Sequence, residues 1–353
     1  MKKVISLLLI VTLMSALFVG CGAEDNSGAG SDTGSAETEQ NEEMGTSESE
    51  EMTQETEAEA GKVYRVAYIA RAQADSFAAW LANAVNEEAE KYEDIEVDIF
   101  DGQASDDTQN GLIENAITNK YDAIVIQPNN GEAQRPYAEK AVAAGIVTIT
   151  TNARISGIEG ASSVDADPYA QAKVNADKAV EQIPQNANVV VLLGPPGNFH
   201  ADERRKSWEQ EFFAKRPDVT IVGEEIANWN KDEALNYMET WVQANDKIDA
   251  IISMNDNMAA GGIEAIKDNP QYDSILAYGV DGTAEACLLI KEGLMTTTSL
   301  QSAYALAEAI LHTSHQLMTG AEEQIDIDID CPLITEKNVD EYIEMHKRAG
   351  AIQ

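Results

Sequence analysis

Beyond residue 62 the chain alternates short Val- and Ile-rich runs with stretches of helical periodicity, an order that limits it to parallel sheets flanked by helices. The runs are "VYRVAYIA", "IEVDIF", "AIVIQP" and "VTITTN" in the first half, then "NVVVLLG", "VTIVGEE", "DAIISMN", "ILAYGVD" and "TTTSLQ". The first three runs of the first half and each but the last of the second are followed by a plausible helix, the first from about Ser76. The stretch of roughly 290 residues exceeds a typical single core, so two domains are expected. "YDAIVIQPNN" (121 to 130) also reads like "IDAIISMNDN" (248 to 257), and some thirty residues after each a strand ends in a polar residue, Asn152 or Asp281. The fold class expected is therefore α/β, with two Rossmann-like lobes whose strand ends face each other.

One joint sharpens the functional question. "IDAIISMNDNMAAGG" places Asn255, Asp256 and Asn257 between a strand and a helix, where one side-chain oxygen suffices as N-cap. The crevice beyond the carboxyl ends of parallel strands is where ligands bind in such sheets, so the surplus points to binding. Aromatic residues stand at similar joints: Phe77 opens the first helix, and Trp229 follows "VTIVGEE". Apolar sugar faces stack on such rings while Asn, Asp, Gln and Arg bond the hydroxyls.

Catalytic and cofactor signatures are absent. No G-x-G-x-x-G follows a strand, "GPPGN" (194 to 198) lacks the Lys-Ser/Thr ending of a phosphate loop, and neither G-x-S-x-G nor H-E-x-x-H occurs. Neither an enzyme nor a cofactor is expected. His200, His312, His315 and His346, with Cys287 and Cys331, do not match metal-ligand spacing, and the two cysteines leave a disulfide open. "IDIDIDID", around Asp326, Asp328 and Asp330, reads as a solvated edge strand.

The start, "MKKVISLLLIVTLMSALFVGCG", has the basic tip, apolar run and small residues of an export signal. Residues 22–61 carry 13 acidic residues and no Lys or Arg, which reads as a disordered acidic tether. The remainder has 22 basic against 49 acidic residues, so nucleic acid is not an expected partner.

From residue 62 to about 330 the sequence resembles the ribose-binding-protein family of exported sugar-binding proteins, most specifically in "AIISMNDNMAAGGIEAI", "YGVDGTAEA", "TTTSLQ", "ERRKSW" and "ANWNKDEALNYM". The leader likewise resembles a lipoprotein signal (1–21) with Cys21 as the lipidated residue, departing at Phe18. The resemblance implies a type I periplasmic-binding fold with lobes of 62–166 plus 302–330 and 167–301 plus 331–353, crossing near 165, 281 and 301. It implies that Phe77 and Trp229 sandwich a sugar ring while Asn255, Asp281 and Gln301 bond its hydroxyls. Arg204, Gln127 and Asn152 complete the set. The family's Asp-Arg pair reads Asn152-Ala153 here, and Arg71, Gln73 and Asp75 are candidates for compensating contacts. The implied protein is a monomer, lipid-anchored outside the cell membrane, which delivers a neutral sugar or polyol to an ABC permease. The alternative is a sensing module that presents its closed form to a receptor.

Overall fold

The structure, a computed structural model, describes residues 61–352. The leader, Cys21 and nearly all of the acidic segment lie outside the described residues. Among the described residues twelve strands form two sheets of six. The first holds β1 (Tyr64–Ala70), β2 (Ile95–Asp101), β3 (Ala123–Ile126), β4 (Val147–Thr151), β5 (Ala161–Ala166) and β11 (Asp326–Ile329), in the order β2-β1-β3-β4-β5-β11 and parallel throughout. The second holds β6 (Asn188–Leu193), β7 (Thr220–Ile226), β8 (Ala250–Ser253), β9 (Leu276–Asp281), β10 (Thr297–Leu300) and β12 (Leu333–Thr335), ordered β7-β6-β8-β9-β10-β12, with only β12 antiparallel. Both follow the doubly wound 2-1-3-4-5 order, whose direction reverses beside the first strand of each sheet and opens a crevice there.

Burial on both faces explains the unbroken apolar runs: every residue of β3 and β8 is buried. Successive residues of β1 feed separate cores. Val66, Tyr68 and Ala70 pack with α1 (Ser76–Ala89) and α9 (Ala303–Met318), while Ala67 and Ile69 pack with α2 (Asp106–Thr118) and α3 (Gly131–Ala143). In the second lobe α4 (Pro168–Gln182) packs on α5 (Phe199–Trp208), α6 (Lys231–Ala244) on α7 (Asp256–Glu264), and α8 (Ala284–Lys291) on α10 (Val339–Arg348).

β5 was not expected, because "ASSVDA" has no apolar run. All six of its residues are nonetheless buried, and polar partners compensate: Ser162 Oγ accepts from Ile325 N at 2.9 Å, and Ser163 Oγ donates to Asp326 Oδ1 at 2.8 Å. The edge strand expected around Asp326 is β11, with Asp326 and Asp328 exposed. The crossing expected near 281 is not there, because Asp281 pairs with Leu300 inside the second sheet. The chain passes between lobes after β5, between β10 and α9, and between β11 and β12. Cys287 and Cys331 are both free.

Candidate ligand-binding site

The three polar residues at the joint after β8 divide the work. Asn255 Oδ1 accepts from Met258 N at 2.9 Å and so caps α7. Asp256 turns inward, accepting from Thr298 Oγ1 at 2.6 Å and Thr283 N at 2.8 Å, which fixes the turn after β9. Asn257 Nδ2 donates to Trp229 O at 2.7 Å and steadies the loop that carries the tryptophan. Burial pushes Asp256 up to about 7.

Between the lobes lies a narrow cavity of about 30 Å³, so the two lobes stand nearly closed on each other around it. Its lining includes Phe77, Gln127, Asn152, Arg204, Trp229, Asn255, Asp281 and Gln301, the eight positions expected from sequence, together with Arg71 and Asp75. Gln73 is not among the lining residues. It is exposed, and only its backbone N–H is engaged, to Asp101 Oδ1 at 3.0 Å. Its place in the loop before α1 turns it outward, whereas Asp75 is held inward because its Oδ1 caps α1 through Ala78 N at 2.9 Å.

Two lining residues, Asn198 and His200, went unrecognised in the sequence. Asn198 ends the β6 loop and caps α5, the same strand-end signal that marks Asn255, and that pattern could have found it. His200 was considered only as a metal ligand. Among the described residues no cluster could hold a metal ion.

The first lobe contributes an ion pair, Arg71 Nη2 to Asp75 Oδ2 at 2.5 Å, buried on both sides. Gln127 holds it in place: its Oε1 accepts from Arg71 N at 2.9 Å, and its Nε2 donates to Asn152 Oδ1 at 2.6 Å. Asn152 and Ala153 take φ of 47° and 118°, a strained turn for residues with a Cβ. Arg154 points away from the cavity, to Asp165 and Asp328.

The second lobe contributes Arg204. Its Nη1 donates to Met254 O at 2.7 Å, and Nε and Nη2 both reach Gln171 Oε1, at 3.0 and 2.8 Å. Asp281 Oδ1 stands 3.6 Å from Nη2, close enough for charge compensation but beyond a hydrogen bond. Asp281 closes β9 at φ 123°, and burial raises its pKa well above the carboxylate range although Arg204 pulls the other way. Gln301 Oε1 accepts from Gln171 Nε2 at 2.6 Å. Among the described residues no hydrogen bond engages Asn152 Nδ2, Asn255 Nδ2 or Gln301 Nε2, while the Asp281 carboxylate accepts from the Asp256 backbone N–H. Three amide donors are therefore available to a guest, together with the acceptor capacity that Asp281 keeps beside Arg204.

Trp229 is 6% exposed, and Arg204 Cζ lies 5.7 Å from its ring centre. Asn228 and Trp229 both take positive φ, 49° and 62°. The indole lies directly over Gly194, where a Cβ would come within 2.7 Å of Cε2. Phe77 is 4% exposed and meets Trp80 edge to face at 5.8 Å.

The chain is 29% identical over 238 residues to the xylitol-binding protein of Mycolicibacterium smegmatis, covering 67% of this chain and 68% of that protein. It is 27% identical over 259 residues to the ribose import binding protein of Bacillus subtilis, covering 73% and 82%. A solved ABC transporter solute-binding protein from Bacillus halodurans C-125 with bound myo-inositol superposes with a TM-score of 0.75 at 26% identity, covering 81% of this chain and 99% of that one. The model of the periplasmic binding protein domain matches residues 66–322, and the chain belongs to that family, in its ribose-binding-like branch.

Proposed function

We propose that the protein is the extracytoplasmic solute-binding component of an ABC importer and captures one neutral monosaccharide or polyol between its lobes. The observation that carries this reading is the charge balance of the cavity. Each lobe supplies one arginine and one carboxylate already paired, Arg71 with Asp75 and Arg204 with Asp281. An anion would meet no uncompensated cation, and an ammonium no uncompensated carboxylate. The available amide donors and the Asp281 acceptor suit hydroxyls, which both donate and accept. The xylitol, ribose and myo-inositol relatives support the same ligand class.

Phe77 and Trp229 provide the apolar faces, and residues from both lobes hold the rim. A ligand that touches both lobes stabilises the closed arrangement by its differential affinity, and that shape is what a permease recognises. Catalysis is not part of the proposal, because Asp75 is engaged by Arg71 and by the start of α1. We place the protein on the outer face of the membrane as a monomer anchored through lipid on Cys21, a reading of the leader motif. Mass spectrometry of the mature N-terminus tests the anchor.

The function is tested by melting the protein against pentoses, hexoses, deoxy sugars, linear polyols and inositols. A ligand bound only to the native state raises the melting temperature by mass action. A selective rise with one neutral member, together with lost uptake of that compound in cells lacking the protein, is the expected result. No rise with any member refutes the ligand class, and uptake intact without the protein returns the alternative of sensing.

A further inference from the structure

His200 is 3% exposed, and both ring nitrogens are engaged. Nε2 lies 2.8 Å from Asp165 Oδ1, and Nδ1 lies 3.1 Å from Arg204 Nη2. A guanidinium only donates, so Nδ1 must accept and Nε2 must carry the hydrogen that Asp165 receives. The partners thus select one neutral tautomer. Asp165 sits near the end of β5 in the first lobe, whereas His200 and Arg204 share α5 in the second. The imidazole therefore joins a carboxylate of one lobe to the guanidinium of the other.

Asp165 is itself well anchored, accepting from Arg154 N at 2.9 Å and Ala153 N at 3.4 Å. Ala153 adjoins the lining residue Asn152. Two other hydrogen bonds join the lobes beside α5, and both are longer: Gly131 N to Gly197 O at 3.3 Å, and Asn198 Nδ2 to Asn129 O at 3.4 Å. We propose that His200 is a positioning residue for closure: it bonds Asp165 only when the lobes meet, and in that state orients the Arg204 fork against Asp281 and Gln301. The coupling to ligand affinity rests on the binding-protein reading, but the closing contact does not.

The charged groups around the ring are Asp165 on β5, Arg154 in the loop between β4 and β5, Arg204 on α5 and, beyond Arg204, Asp281 on β9. Burial lowers the His200 pKa although Asp165 raises it, and the two arginines lower it further. Once the lobes part, the wetted ring returns toward its ordinary value of about 6.5. Closing then expels a proton below that pH, so closure weakens as pH falls. Asp281, with its raised pKa, titrates in the opposite sense, and the comparison with a variant lacking the imidazole isolates His200.

The experiment is hydrogen exchange of the full chain without ligand, read by mass spectrometry at the Gly131 amide, whose bond crosses the interface away from the ring. His200→Asn keeps an acceptor near Arg204 but is too short for Asp165. His200→Gln reaches toward Asp165 but lacks the fixed acceptor at the Nδ1 position. Both should lower Gly131 protection about tenfold or more, and protection corrected for intrinsic rate should fall from pH 7.5 to 5.5 in the wild type but not in His200→Gln. Unchanged protection in both variants, or a wild-type Gly131 amide that exchanges freely, overturns the proposal. A merely local role would loosen only the peptide that contains residue 200, and that result also overturns it. If the wild type is protected and the variants are not, yet no sugar or polyol raises the melting temperature, the closing contact stands and the ligand reading fails.

Discussion

Gly194→Ala tests whether Trp229 is a platform for the ligand or only a packed side chain. The new Cβ would lie 2.7 Å from Cε2 and closer still to Cζ2 and Cη2. Carbon atoms prefer about 3.5–4.0 Å, so the indole must retreat by about 1 Å. Its backbone cannot follow freely, because Asn228 and Trp229 already hold positive φ and Asn257 grips the Trp229 carbonyl at 2.7 Å. The ring therefore tilts into the cavity, into space a sugar ring would use. Overpacking of this kind lowers stability by about 1–3 kcal/mol. Loss of a stacking contact is worth about 0.5–1.5 kcal/mol, so the Kd for the ligand that the melting panel selects should rise roughly 2- to 13-fold. Calorimetry on Gly194→Ala, Trp229→Ala and the double variant forms the cycle. With the indole gone the alanine has nothing to displace, so Gly194→Ala should then cost no affinity. An equal loss in both backgrounds would refute the platform argument.

Asp281→Asn should weaken binding by about 0.5–1.5 kcal/mol, because one acceptor oxygen becomes a donor, and should also lower the unliganded melting temperature by leaving buried Arg204 without its counter-charge; unchanged affinity in calorimetry would remove Asp281 from the site. Arg71→Met should cost about 3–5 kcal/mol in urea unfolding by stranding buried Asp75, and adding Asp75→Asn, which still caps α1, should recover most of it; no recovery would mean the pair is not the cause. Asp256 is raised in the native state, so the native protein holds more protons than the unfolded chain between about pH 4 and 7, and its contribution to stability declines as pH climbs through that window. The melting-temperature difference between Asp256→Asn and wild type should accordingly grow in the variant's favour from pH 4.5 to 8, and a constant difference would assign the titration elsewhere.

The parallel strands were legible because burial on both faces forces continuous apolar runs, as in "AIVI" and "AIIS". β5 was not, because its stability lies in partners 163 residues away, such as Ile325 for Ser162 and Asp326 for Ser163. The crossing misplaced at 281 has a similar origin. A strand that ends in a polar, strained residue looks like an exit from the lobe, and only the pairing of Asp281 with Leu300 shows that the chain stays. At the site, Phe77, Trp229 and the strand-end amides could be read from position alone. The Arg71 and Asp75 candidates could be named but not their pairing, and Gln73, two residues from each, could not be separated from them. His200 escaped because its role depends on Asp165, a residue of the unrecognised strand.

The site's use of asparagine follows from what a helix start demands. A cap needs one acceptor oxygen, and Ser, Thr, Asp or Asn can each supply it. Asp has no donor left over and Ser or Thr keeps only the O–H on the capping atom itself, whereas Asn keeps an NH2 group separate from the capping oxygen. Asn255 caps α7 through Oδ1 and keeps Nδ2 for the cavity, and Asn198 caps α5 through Oδ1 while Nδ2 reaches Asn129 O in the other lobe. An aspartate at either place would hold the helix equally well but would turn a negative oxygen toward the cavity or the opposing carbonyl. The charge balance set by the two arginine–carboxylate pairs would then be lost. Fold and site thus draw on the same residues, which is why a surplus of amides at strand ends, beyond what capping requires, was the most informative signal in the chain.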